Sequence, residues 1–286
     1  MGEVMIRADD GVDLHLHTRY SDGQWRPDAL FDHLAARGLR VVAVTDHDRV
    51  DRIARLRALG DARGIQVIAG VEVSANWRGE TAHLLCYAAE SIGAPLGRMV
   101  RRTVRRQLEN TRAVHAELRR RGYDFPRQAE ALAGQRGQVR RPIDNARLLE
   151  AHGYARDGAR AMAMIVDAGY RMVTAPLAEA VAAAHAAGAL ALLAHPGRGG
   201  GELHRYEAEE VRAMLAEIPL DGLETRYPAH SERDSTAYEA LARDYGLLTS
   251  AGSDSHGPGG RLPIAYPARV CSALLARCGV EVARED

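Results

Sequence analysis

Short apolar, β-branched runs alternate with stretches of helical periodicity along most of the chain, and this alternation predicts strands and helices in turn. Runs that read as buried strands lie near Asp13, at Val41–Thr45, Val67–Val71, His83–Tyr87, Ala189–Ala194, near Gly222 and at Leu247–Ala251. Between them, Arg26-Pro-Asp28 with Leu30, Leu34 and Ala35 predicts a helix that ends at Gly38. Val50 to Arg63 predicts a polar, arginine-rich helix, and Pro176 to Ala187 an alanine-rich one stopped by Gly188. The turn Trp77-Arg-Gly-Glu80 reads as a hairpin-like excursion.

From Arg98 to about Gly122 the pattern changes. Val104, Leu108, Val114 and Leu118 recur at helical spacing among many arginines, and Asp124-Phe-Pro126 closes the helix. Gly134 to Gln138 reads as a loop, and Asp144 to Gly169 as short helices. The expected organisation is an α/β barrel in two parts, residues 1–97 and 177–286, with a helical insertion over 98–176 that caps its mouth.

The ends of the strands carry the chemistry. His15 and His17, two apart in an extended segment, aim two imidazoles at one side, and the Ser-Asp-Gly turn returns Asp22 to the same place. Later runs end in Asp46-His47-Asp48, in Glu72, in His195-Pro-Gly-Arg198 and in Ser253-Asp254-Ser-His256, and another carries His83 at its edge. Imidazole and carboxylate ligands together suit zinc, manganese or iron. In parallel barrels the reactive groups gather at the carboxyl ends of the strands, so these scattered residues predict one site. Within it His47 is the expected ligand, while Asp46 and Asp48 orient ligands or receive protons. His33, His185 and His204 read as outside the site, and Ser21 and Ser255 as turn residues.

Composition narrows the class. The chain has 286 residues, 46% hydrophobic and 27% charged, with a formal net charge of +0, so no global field draws it to nucleic acid or to acidic membranes. No apolar run approaches membrane-spanning length and no signal segment opens the chain. The three cysteines, Cys86, Cys271 and Cys278, are odd in number and far apart, which predicts free thiols and a cytoplasmic setting. All 38 basic residues are arginine. Such a bias means that an arginine is promoted only when it stands beside a ligand motif.

The set His15-x-His17…Asp22, Thr45-Asp-His47-Asp, Gly70-Val-Glu72, His83, Ala194-His195-Pro-Gly-Arg198 and Ser253-Asp254-Ser-His256 closely resembles the PHP (polymerase and histidinol phosphatase) family of metal-dependent phosphoesterases. The resemblance covers both ends of the chain and leaves a gap from about Arg98 to Pro176. It implies a distorted (β/α)7 barrel and two or three divalent ions, Mn, Fe or Zn. By this resemblance His15, His17, Glu72 and Asp254 hold one metal, Glu72, His83 and His195 a second, and Asp22, His47 and His256 a third. Divalent ions lower the pKa of bound water toward about 7 and neutralise phosphoryl oxygens, which implies hydrolysis by a metal-bound hydroxide.

Asp46, Arg198 and His230 are the expected catalytic helpers. Arg106, Arg141, Arg198, His230 and Ser231 are the expected contacts to the substrate phosphate. Nucleotide-processing relatives carry an Arg-Pro-His stretch in the insertion, whereas this chain has Arg141-Pro142-Ile143. The implied substrate is a small phosphorylated metabolite, in first place a 3',5'-nucleoside bisphosphate-like nucleotide or a short RNA, with no stable binding of duplex nucleic acid. Rival readings are a histidinol phosphate or other sugar phosphatase, an amidohydrolase-type reaction at a C–N or C–O bond, and an inactive metal-binding accessory module.

Overall fold

The computed structural model describes residues 4–133, 136–200 and 203–283. The chain begins with β1 (Val4–Ile6), β2 (Gly11–Leu16), α1 (Pro27–Ala36), β3 (Leu39–Val44), α2 (Ile53–Asp61), β4 (Gln66–Trp77) and β5 (Glu80–Ala88). A long helix α3 (Ala94–Arg120) follows, then α4 (Gln128–Ala131), α5 (Pro142–Ala151) and α6 (Gly158–Asp167). The last part holds β6 (Ala175–Pro176), α7 (Leu177–Ala186), β7 (Leu190–Leu193), α8 (Ala208–Glu217), β8 (Gly222–Arg226) and α9 (Glu232–Asp244). It closes with β9 (Leu248–Ala251), β10 (Tyr266–Pro267), α10 (Ser272–Arg277) and β11 (Val280–Val282). All seven strands expected from the sequence form.

The chain divides into two compact units, one running to Arg101 and again from Thr174, the other Arg102–Val173. In the first unit one sheet runs in the order β10-β2-β3-β4-β5-β7-β8-β9, with β6 paired to β4. The sheet nearly closes on itself, because the segment after β9 meets β2: Asp254 N donates to His15 O at 2.8 Å and His17 N to Ser255 O at 3.0 Å. This is the distorted α/β barrel that the sequence predicts.

Its strands are apolar on both faces because both faces are covered. Alternate positions such as Val41, Ala43, Leu85, Leu190 and Leu192 line one core, together with Leu274 and Leu275 from α10. The opposite faces pack in two places, Val73, Leu84, Leu193 and Leu223 against α7, α8 and α9, and Val42, Val44 and Val67 against α1 and α2.

One departure from the all-parallel barrel matters for the site. β4 and β5 pair antiparallel along nine residue pairs, from Ala69↔Ala88 to Trp77↔Glu80, and β5 is antiparallel to β7 as well. The turn between them, Arg78-Gly79, takes φ of +52° and +90°, the left-handed pair that matches strand twist in a two-residue hairpin. His83 therefore arrives from within a reversed strand, opposite Ser74, and not from a strand's carboxyl end.

The second unit has its own core of Val114, Leu118, Phe125, Leu148, Leu149 and Ile165. The expected loop at 134–138 is described only from Arg136 onward; Gly134 and Gln135 lie outside the described residues. No helix among the described residues is long and apolar enough to cross a membrane.

Candidate metal centre

Three strand ends and one mid-strand residue deliver five imidazoles to a single carboxylate. Glu72, 1% exposed, has its carboxylate oxygens within 3.3 Å of a ring nitrogen from each of five histidines. The separations are 3.1 Å to His15, 3.1 Å to His17, 3.3 Å to His47, 2.8 Å to His83 and 3.0 Å to His195. The local cause is backbone pairing that continues past the strands. A parallel bridge joins His47 to Glu72, and Glu72 N donates to Thr45 O, so the end of β3 and the middle of β4 present these two side chains side by side.

Asp254 joins from the far end of the chain. Its Oδ1 lies 3.2 Å from His17 Nε2 and 3.6 Å from His15 Nε2, while its Oδ2 accepts from Arg198 Nη1 at 2.6 Å and Tyr227 Oη at 3.1 Å. The two oxygens are thus divided between the histidines and the cationic rim. Asp254 adopts φ +53°, His195 +25° and Asp48 +51°. Left-handed backbone at non-glycine residues is costly, and strained backbone gathers at functional sites.

Three groups place one ligand atom from each residue within 4.8 Å of the others: His15, His17, Glu72 and Asp254; His17, Asp22, His47 and His256; and His47, Glu72 and His83. All nine residues proposed as ligands from the sequence are brought together, since His195 Nε2 sits 3.0 Å from the Glu72 Oε1 that His83 also touches. The partition differs from the expected one in that His17 and His47 each serve two groups.

Buried polar atoms normally have partners. Here His17 Nδ1, His47 Nδ1 and His83 Nε2 are buried and make no hydrogen bond. The ring nitrogens that face carboxylate oxygens, Nε2 of His15, His17, His47 and His195 and Nδ1 of His83, form with them the donor set that zinc, manganese and iron prefer, so the residues fit bound divalent ions.

Electrostatics separate the rings. Burial alone would depress every histidine, and it brings His47 down to about 4 and lowers His195. For His17 burial is outweighed by Asp254 and Glu72, which hold it at about 10. For His15 the charges of Glu224, Glu72 and Asp254 likewise overcome burial and keep it well above an ordinary histidine. Burial works against the charge of Glu72, but the rings of His47, His15 and His83 hold it well below the carboxylate range.

Several residues expected at the substrate prove to be occupied elsewhere. Asp46 accepts from Thr18 N (2.7 Å), Thr18 Oγ1 (2.7 Å) and Ser21 Oγ (2.7 Å). These bonds anchor the turn that carries Asp22, which supports an orienting role. His230 has both ring nitrogens engaged, with Gly197 N donating to Nε2 at 3.1 Å and Nδ1 3.2 Å from Thr225 O. It keeps no free N–H for a phosphate. Ser231 caps α9, accepting from Asp234 N and donating to Asp234 Oδ2 in a reciprocal capping box.

In the second unit Arg106 is exposed on α3, and Arg141 caps α5, where its side chain pairs with Asp144. Arg198 stands at the metal-ligand assembly, where it donates to Asp254.

Four residues at the centre were missed. Glu224, fully buried, lies 3.0 Å from His15 Nδ1 and accepts from His195 N at 2.8 Å. Asp13, also fully buried, accepts from Ser253 N and Ile264 N and is pushed up by burial to about 6. Tyr227 supports Asp254, and Arg261 reaches Tyr227 Oη at 3.0 Å and Ser253 O at 3.1 Å. Glu224 carried a signal, a carboxylate near a strand end like Glu72. Arg261, beyond Gly257-Pro-Gly-Gly260, carried none.

Comparison with known proteins accords with this geometry. The chain is 29% identical over 268 residues to the 3',5'-nucleoside bisphosphate phosphatase of Chromobacterium violaceum, spanning 87% of this chain and 88% of that one. It is 30% identical over 260 residues to the phosphoribosyl 1,2-cyclic phosphate 1,2-diphosphodiesterase of Eggerthella lenta, spanning 88% and 96%. It is 31% identical over 258 residues to the 5'-3' exoribonuclease Rnm of Escherichia coli, spanning 86% and 85%.

Among solved structures, one from Bifidobacterium adolescentis shares the fold with a TM-score of 0.78 at 24% identity, covering 95% of this chain and 98% of that one. A Chromobacterium violaceum structure described as an amidohydrolase with bound sulfate aligns with a TM-score of 0.73 at 27% identity, covering 93% and 96%. The family model described as the PHP domain matches residues 13–164, more than half of the sequence. On these matches, the chain belongs to the PHP domain family.

Proposed function

We propose that the protein is a metal-dependent phosphoesterase that hydrolyses a phosphate ester of a small nucleotide, in first place a nucleoside bisphosphate, or of a short oligonucleotide. The observation that carries this reading is the convergence of five imidazoles on Glu72, with three buried ring nitrogens making no hydrogen bond. The curated relatives supply the substrate class, since a nucleoside bisphosphate phosphatase and an exoribonuclease both act on phosphate esters of nucleotides.

His15, His17, Glu72 and Asp254 would hold one ion, with His47, His83 and His195 around Glu72 and with Asp22 and His256 at the outer edge holding one or two more. Divalent ions there supply an acidified water and neutralise phosphoryl oxygens. The protein's own residues orient and exclude. Arg198, about one-third exposed and fixed on Asp254 through one nitrogen, leaves the rest of its guanidinium for a phosphate oxygen. Of the serines in the ligand turns, Ser21 Oγ is tied to Asp46, and Ser255 Oγ donates to Arg261 O while accepting from Trp25.

The test is a phosphate-release screen with added Mn²⁺ across nucleoside bisphosphates, short RNAs, histidinol phosphate and sugar phosphates. Amide substrates are included, because one structural neighbour is described as an amidohydrolase. Release from nucleotides that stops on chelation is the expected result. Amide turnover without phosphate release would replace this reading.

A second expectation follows from His15 and His17, whose raised pKa values leave protons on these rings in the metal-free site at neutral pH. Ligation needs a bare nitrogen, so loading must release protons and affinity must climb as pH rises. Zn²⁺ titration calorimetry in two buffers of different ionisation enthalpy should show net proton release. Equal apparent heats in both buffers would contradict it.

A further inference from the structure

The structure assigns Glu224 the role of a positioning residue that sets which nitrogen of His15 is offered to a metal and holds the strained backbone of His195 in place. This assignment rests on the metal-binding reading above and goes beyond it to a residue that is not itself a ligand.

Glu224 is fully buried within β8, and it lies behind the ligand cluster. Its Oε1 is 3.0 Å from His15 Nδ1, and its Oε2 accepts the backbone N–H of His195 at 2.8 Å. An ionised carboxylate only accepts hydrogen bonds, so His15 Nδ1 must carry the proton. That makes Nε2 the nitrogen that is bared when a metal binds, and it stands 3.1 Å from Glu72 Oε2 and 3.1 Å from His17 Nε2. On its second side, Glu224 grips the amide of a residue whose φ of +25° has little support of its own. One carboxylate therefore governs two imidazoles from opposite ends of the chain. Gly252 packs closely against it, since a Cβ built there would lie 2.8 Å from its Oε1.

The isosteric amide distinguishes this role from mere filling of space. Both neighbours of Glu224 are donors, but a glutamine offers one acceptor oxygen and one NH₂ group. In Glu224→Gln the NH₂ must face either His15, which then reverses its tautomer and aims a proton at the metal position, or the His195 N–H. Glu224→Asp keeps the acceptor charge at shorter reach.

The experiment uses full-length wild type, Glu224→Gln and Glu224→Asp, each compared by circular dichroism. Zinc affinity is measured by competition with a chromophoric chelator, and imidazole ¹H–¹⁵N correlation spectra are recorded on the zinc-loaded proteins. Wild type should show His15 protonated at Nδ1. Glu224→Gln should keep its circular dichroism, lose or shift that signal, and bind zinc roughly 10- to 100-fold more weakly, the usual effect of removing a partner behind a ligating histidine. Glu224→Asp should recover part of the affinity. A Glu224→Gln protein that binds zinc like wild type and retains the Nδ1–H signal overturns the assignment alone. A wild type that binds no zinc overturns the metal-binding reading, and this assignment with it.

Discussion

Glu72→Ala protein should fold and yet release phosphate at least about 10³-fold more slowly than wild type, well beyond the ~10- to 100-fold effect of losing a group behind a ligand. The reason is geometric. All five buried or half-buried imidazoles around it have a ring nitrogen within 3.3 Å of its carboxylate, and it belongs to two of the three ligand groups. Without it these rings face one another across a void, and the carboxylate they share is gone. The strand itself should survive, because β4 is held by nine residue pairs with β5 and four with β3, and the vacated polar space is one that water can fill. Metal content by mass spectrometry, circular dichroism and steady-state rates would be read together. Near-wild-type turnover in a folded, metal-poor Glu72→Ala protein would remove Glu72 from the chemistry.

Gly252→Ala should produce the largest loss of stability of any single methyl insertion at the site. A Cβ there would lie 2.1 Å from His15 Cβ, 2.8 Å from His15 N and 2.8 Å from Glu224 Oε1. Two of these are backbone or backbone-attached atoms of a fully buried strand, so they cannot swing aside. Overpacking of this kind costs about 3 kcal/mol or more, which for a chain of this size lowers Tm by on the order of 10 °C. Gly259→Ala is the control, since a Cβ at Gly259 meets nothing within 4 Å. Thermal melts of the metal-free proteins would separate the cases. Equal Tm values for the two variants would mean that the strand ends do not approach as described.

The ligands were legible because each is written locally, as a polar residue placed at the end of, or within, an apolar run. What the runs do not encode is strand direction. The pattern around His83 is the same whether its strand runs with or against its neighbours, and only the Arg78-Gly79 turn hints at reversal. Glu224 escaped for a related reason. A carboxylate near a strand end looks alike in sequence whether it faces a metal or the back of a histidine.

His230 and Ser231 are a different case. Their expected place at the phosphate comes from resemblance to a family segment, whereas Ser231-x-x-Asp234 is also a helix-start signature that local reading can recognise. Arg261 and Tyr227 depend on a loop folding back onto the barrel, a long-range event with no periodic trace.

The seam where the barrel closes also orders events in time. Asp13 and Ser253, which hydrogen-bond across it, are 240 residues apart, and Asp254 comes later still than every other ligand except His256. During synthesis on the ribosome, the histidines of β2 and β5 must therefore wait, uncoordinated by their final partners, until nearly the whole polypeptide has emerged. Ion capture is then a late step of maturation, and a truncated product released before Asp254 would leave the translation machinery without a usable centre.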